Sequence, residues 1–183
     1  MKFGGVLEKI AKGILAIVVS AVMLAQPLRV RAEDGAQVNE DCIVTDQLVG
    51  ELLDWVSDHT KYDVATVRSD VPEISFCRTG DNIVYHDEHM IVESDTEALY
   101  DTRNRKIYLV GTWNADRPND VSVLLHELIH AVQFDNRTWR CLGQPEWEAY
   151  KLQEKWLAER GIKANFDWLV IYMISRCTKD IHP

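Results

Sequence analysis

Two histidines one helical turn apart, with a glutamate beside the first, are the residues in this chain best suited to chemistry. They lie in His126-Glu127-Leu128-Ile129-His130, inside the stretch from Asp120 to Gln133. Residues four apart share one face of an α-helix, so His126 and His130 can offer two imidazole nitrogens to one metal ion. Glu127 is turned by about 100° from His126, the helical angle per residue. That sets it beside such an ion, where a carboxylate can take a proton from a water the metal activates. The competing reading is a core helix whose polar groups are satisfied by hydrogen bonds. A buried helix, however, has little reason to carry two histidines and a glutamate unless they are paired or ligating.

The motif needs a helix to hold it. Val121, Leu124, Leu125, Leu128 and Val132 recur at helical spacing and predict a buried stripe. Pro118 and Asn119 read as a stop and a cap, and Asp120 puts negative charge near the N-terminus. A second helix is expected from Pro145 to about Arg160, with proline at its first position and Gly161 as its stop. Glu146 and Glu148 fall in its first turns, where the helix dipole favours carboxylates, and that alone would account for both.

Leu125 to Ala131 resembles the active-site helix of zincin-type zinc metallopeptidases. The metzincin continuation, a glycine and a third histidine, is absent from Val132 to Asn136. Gln144-Pro145-Glu146-Trp147-Glu148-Ala149-Tyr150 instead resembles the gluzincin arrangement, in which a Glu followed by Ala on the next helix is the third ligand. That match implies Glu148, with Glu146 as the fallback, since the two lie on different faces of one helix. The stretch from about Ala98 to Leu157 is also similar to a family of small exported bacterial H-E-x-x-H proteins without an assigned activity. The resemblance implies one zinc ion held by His126, His130 and Glu148, with a fourth position open and Glu127 as general base. It implies hydrolysis of an amide bond in a peptide or protein substrate. Zinc is favoured because two imidazoles, a carboxylate and an open position match its habits. Tyr150 is the candidate transition-state stabiliser, although it stands two residues from Glu148 and points elsewhere along the helix. Two other functions remain open: a metal-dependent amide hydrolase acting on cell wall, and a non-catalytic exported domain that binds zinc or a partner. Glu127 argues against the last, because a structural site needs ligands but no base.

The rest of the chain supplies the frame. Residues 1–32 read as a signal peptide, with Lys2, Lys9 and Lys12 before the apolar run Ile14 to Ala25 and a cleavage site after Ala32. Residues 33–183 are then expected to form a single domain that is periplasmic or secreted and free of the membrane once the signal is cleaved. With Lys2, Glu8, Lys9, Lys12, Arg29 and Arg31 in the leader, the remainder carries 15 basic and 28 acidic side chains, a formal charge of −13. Such a surface argues against nucleic acid as a partner and names no oligomeric state. Cys42, Cys77, Cys141 and Cys177 all fall after the leader and suggest two disulfides. Pairing Cys42 with Cys77 and Cys141 with Cys177 lets each bridge bracket a local unit. A structural zinc site is the weaker reading, for no C-x-x-C occurs.

The expected fold class is α+β: a small zincin-like domain with a short mixed sheet packed on the motif helix, plus further helices. Thr45 to Asp58 predicts an amphipathic helix with Leu48, Leu52, Trp55 and Val56 on one face. Tyr62 to Val67 and Glu73 to Cys77 read as strands, and Ala98–Asp101 with Lys106–Val110 as a hairpin. His86-Asp87-Glu88-His89 reads as a solvated loop between two short apolar runs rather than a second metal site. Asn165 to Arg176 is expected to be a last helix, capped by Asn165 and apolar at Phe166, Leu169, Val170 and Met173.

Overall fold

A computed structural model describes residues 43–177. The proposed signal peptide, the Glu33 to Glu40 segment, Cys42 and His182 lie outside the described residues. Five helices and five strands follow in order: α1 (Asp46–His59), α2 (Ala65–Ser69), β1 (Glu73–Cys77), β2 (Asn82–Tyr85), β3 (Glu88–Ile91), β4 (Ala98–Asp101), β5 (Lys106–Val110), α3 (Pro118–Asn136), α4 (Glu146–Ala158) and α5 (Trp168–Ile174). The class is α+β, with a short mixed sheet in the order β1-β5-β4. β1 runs parallel to β5, β4 runs antiparallel to it, and β2 and β3 form a separate hairpin.

The sheet is covered on both faces, which explains the unbroken apolar run in β5. Ile107 and Leu109 are fully buried with Tyr100 against the helices, while Tyr108 packs with Cys77, Ile83 and Val92 toward the hairpin. α3 is the central element. Val121, Leu124, Leu125, Leu128 and Val132 are buried as their spacing predicts, and so are Ser122, His126, Glu127, Ile129, His130, Ala131 and Gln133. A helix buried almost all round accepts polar residues only when they are satisfied by partners. α1 follows its prediction, with the Thr45 hydroxyl accepting from the Leu48 N–H and Val49, Leu52, Leu53 and Val56 buried.

Several expectations are corrected. Residues 65–69 form α2 rather than part of a strand. The Asp63 carboxylate accepts from the Ala65 N–H and turns the chain, so local side-chain bonding overrides the β-branched residues there. α3 begins at Pro118 itself, and Asn119 lies inside the helix rather than capping it. Asp167, not Asn165, caps α5, accepting from the Leu169 and Val170 N–H groups. α5 is short and buries only Ile171, leaving Leu169, Val170 and Met173 exposed where a packed stripe was expected. The His86–His89 cluster is not a loop. His86 and Asp87 form the tight turn of the β2–β3 hairpin at φ 52° and 68°, while Glu88 and His89 are strand residues.

The Cys141–Cys177 bridge forms, tying the α3–α4 connection to the end of α5. Cys77 is a free, buried thiol 3.8 Å from the Leu109 carbonyl oxygen, and Cys42, its expected partner, lies outside the described residues. Its strand position buries it between sheet and hairpin, where it behaves as a small apolar residue. No helix among the described residues is long and apolar enough to cross a membrane.

Candidate metal centre

α3 presents His126 and His130 edge to face, with ring centroids 4.6 Å apart and Nε2 atoms 3.0 Å apart. The first residue of α4 completes the group. Glu146 lies 3.3 Å from His126 Nε2 through Oε2 and 3.3 Å from His130 Nε2 through Oε1. One ligand atom from each of the three residues falls within 4.8 Å of the others. Among the described residues this is the group of His, Cys, Asp and Glu side chains able to hold a metal ion.

The third member of the group is therefore Glu146, the fallback of the sequence reading, and the assignment of Glu148 is corrected. Two residues of helix separate them by about 200°, so only one can face α3's histidines. Glu148 Oε2 instead accepts from Tyr62 Oη at 2.6 Å and from Gln133 Nε2 at 3.0 Å. The same geometry brings Tyr150 into the site. It stands four residues from Glu146, and its ring meets the His126 ring edge-on at 4.5 Å.

Hydrogen bonds orient both imidazoles. His126 Nδ1 lies 3.0 Å from Gln153 Oε1, and His130 Nδ1 lies 3.0 Å from Gln133 Oε1. An amide oxygen only accepts, so each Nδ1 carries the proton and each Nε2 a lone pair. Two lone pairs and a carboxylate then converge with no donor among them. Such a set is stable around a cation, and two imidazoles with one carboxylate suit zinc. Fixing a ligand's second nitrogen in this way is what metal sites require.

Glu127 and His126 line two hollows that meet at the site, of about 220 Å³ and 610 Å³. Burial raises the Glu127 pKa, the imidazoles oppose that rise, and the Glu146 charge adds to it. Burial works against charge on Glu146 too, but whenever the imidazoles carry a second proton their hydrogen bonds and charge outweigh it and hold the carboxyl far below its usual range. Tyr150 is pushed up to about 12 by burial and then by the charges of Glu146, Glu127 and Glu97.

Tyr85 is a site residue that sequence reasoning missed. It lines the smaller hollow with His126, Glu127 and Tyr150, and its pKa is raised to about 12 by burial and then by Asp101, Glu127 and Glu146. The positive-φ turn after it is held by Asp101, whose fully buried carboxylate accepts from the His86 N–H at 2.8 Å. A turn costing conformational strain persists where its surroundings over-determine it, and here it fixes the residue on the wall of the site. No local pattern marks Tyr85, because it arrives from a different sheet. Gln133 and Gln153 were also missed. The signal for Gln153 was present, for Glu146, Tyr150 and Gln153 fall at i, i+4 and i+7 on α4.

The far wall of the smaller hollow includes Leu142, from the α3–α4 connection, and Ile174, from α5. These two walls are joined by the Cys141–Cys177 bridge and by Gly143. A Cβ at Gly143 would come within 2.1 Å of the Ile174 carbonyl oxygen, so only glycine permits this approach. On the sheet side, the Val110 N–H donates to the Glu97 carbonyl, and the register makes alternate residues of β4 face β5. Ala98 and Tyr100 thus turn their main-chain groups away from β5; the Tyr100 carbonyl accepts from Tyr85 Oη at 3.4 Å, and Ala98 lines both hollows.

Residues 41–183 match a family model described as "Domain of unknown function (DUF6647)", and the chain belongs to that family. No curated protein and no solved structure matches the chain.

Proposed function

We propose that this protein is an exported, zinc-dependent metallopeptidase of the gluzincin-like kind. The observation that carries the reading is the convergence of His126, His130 and Glu146 beside a buried Glu127 in an open cleft. A bound zinc ion would supply Lewis acidity toward a carbonyl and lower the pKa of a water. The residues do the rest. His126, His130 and Glu146 would hold the ion. Glu127, raised in pKa by burial, takes the proton and delivers it to the leaving amine. Tyr150 and Tyr85 stay protonated at neutral pH; Tyr150 can donate to an oxyanion, while the Tyr85 hydroxyl donates to the Tyr100 carbonyl at 3.4 Å. Ala98 offers an unpaired main-chain N–H and C=O to an extended peptide, the mode by which a sheet edge recognises a chain. The Cys141–Cys177 disulfide supports an oxidising compartment, and with it export.

The test pairs metal content with hydrolysis. Purified protein is expected to hold about one zinc per chain and to cleave some member of a fluorogenic peptide library. Glu146→Ala should lose the metal and the cleavage together, and Glu127→Gln should keep the metal and lose only the cleavage. A folded wild type that binds neither zinc nor a similar metal would sink the reading. A protein that binds zinc but cleaves no peptide would point to the cell-wall amide or non-catalytic alternatives.

A further inference from the structure

We infer that Glu148, held by Tyr62, is a positioning residue that sets the tautomer of His130 by acting through the Gln133 amide. The inference rests on the metal-site reading only for its consequence, not for its geometry. Gln133 is fully buried, so its amide must find every partner within the protein. One end faces the Glu148 carboxylate at 3.0 Å and the Pro145 carbonyl oxygen at 3.3 Å. Both are acceptors, so that end is the NH2 group. The opposite end is then the oxygen, 3.0 Å from His130 Nδ1, and the Nδ1 atom must be the donor. The lone pair is left on Nε2, pointing to His126 and Glu146. Turned over, the amide would set its oxygen against a carboxylate and a carbonyl. It would also present NH2 to Nδ1 and move the imidazole proton to Nε2, the atom that must ligate.

Glu148 is itself fixed from outside. The Tyr62 hydroxyl donates to the same Oε2 at 2.6 Å, and Arg137 Nη2 stands 3.8 Å from it. A chain of three hydrogen bonds thus runs from the α1–α2 connection, through α4 and α3, into the candidate centre. His126 has no such line. Its Gln153 donates to Ser122 Oγ, whose own proton goes to the Asn119 carbonyl, and that circuit closes within α3 and α4. The resemblance that singled out Glu148 as a ligand therefore fell on a residue two hydrogen bonds behind one.

The experiment uses the full chain with ring-15N histidine. Long-range 1H–15N spectra of the chelator-treated protein read each tautomer, and zinc affinity is measured by competition with a chromophoric chelator. Wild type is expected to show His130 protonated at Nδ1 alone. Glu148→Ala should give mixed His130 tautomers with His126 unchanged, and should weaken zinc by about tenfold or more. Glu148→Gln, which keeps an acceptor oxygen for Gln133, should restore both readings. Tyr62→Phe removes only the hydroxyl and should shift them in the same direction by less, which keeps the test open if Glu148→Ala does not fold. A His130 that stays protonated at Nδ1 in folded Glu148→Ala or Tyr62→Phe, with zinc affinity unchanged, overturns the inference and leaves Glu148 a tether between helices. A tautomer that responds in a protein that binds no zinc upholds the relay while the peptidase reading falls.

Discussion

His126 and His130 sit one turn apart on the same helix, yet they are supported by different parts of the molecule. Behind His126 the chain of hydrogen bonds passes through Gln153 to Ser122 and ends on the Asn119 carbonyl. Every side chain on that path is buried and uncharged. Behind His130 the path crosses to Gln133, then to a charged carboxylate at Glu148, then to Tyr62 on a separate connection. The first arm needs only α3 and α4 to pack. The second also needs the α1–α2 connection and the start of α4, which the Cys141–Cys177 bridge anchors through the preceding loop. Two histidines one turn apart on one helix thus differ in how many elements must be in place to orient them.

The largest effect should erase the difference. His126→Ala, His130→Ala and Glu146→Ala each remove a ligand, and zinc content should fall from about one per chain to near zero in all three. Retention of the metal by any one of them would remove that residue from the centre. Next comes the bridge. Closing a loop between residues 36 apart is worth about 4 kcal/mol in the chain-entropy account, so Cys141→Ser with Cys177→Ser should lower Tm markedly. The arms predict that zinc affinity falls with it through His130 and Glu146, and that the His126 tautomer stays as it was. Gln153→Ala should cost about 10- to 100-fold in zinc affinity, the usual price for an outer-shell partner. Ser122→Ala should cost less, because it leaves Gln153 in place. If Ser122→Ala disturbs the His130 tautomer, the arms are not independent.

The smallest effect is a pH dependence. Tyr62 is raised to about 12, by burial first and then by the hydrogen bond and charge of Glu148. A group whose folded pKa is raised contributes stability that is present below its unfolded value near 10 and is lost as pH rises through the folded value. Tyr85 and Tyr150 behave in the same way. Denaturant midpoints should therefore fall between pH 10 and 12, and Tyr62→Phe should fall less steeply than wild type over that window. Equal slopes would mean that the Tyr62 hydroxyl carries no preferential bond to Glu148 in the folded protein.

Much of the frame was legible because its signals are local. The spacing of Val121 to Val132 defines α3, and the same spacing puts His126 and His130 on one face. The apolar run of β5, the hairpin with β4 and the α1 cap are equally short-range. Errors arose where a local preference met a competing partner. Asp63 made a helix of residues read as a strand, and Asp167 displaced Asn165 as a cap. α5 is apolar in sequence yet exposed, because apolar spacing predicts a helix face and not what lies against it.

The sequence by itself determined the motif helix, the pair of histidines, the carboxylate beside them and the α+β class. These follow from periodicity and residue type within a single element. Only the tertiary structure decided which glutamate joins the histidines, for that depends on how α4 is rotated against α3. It also decided that Gln133 and Gln153 orient the rings, that Glu148 looks back to Tyr62, and that Tyr85 arrives from a different sheet. Direction in space is set by packing between elements, and no spacing along one chain segment encodes it.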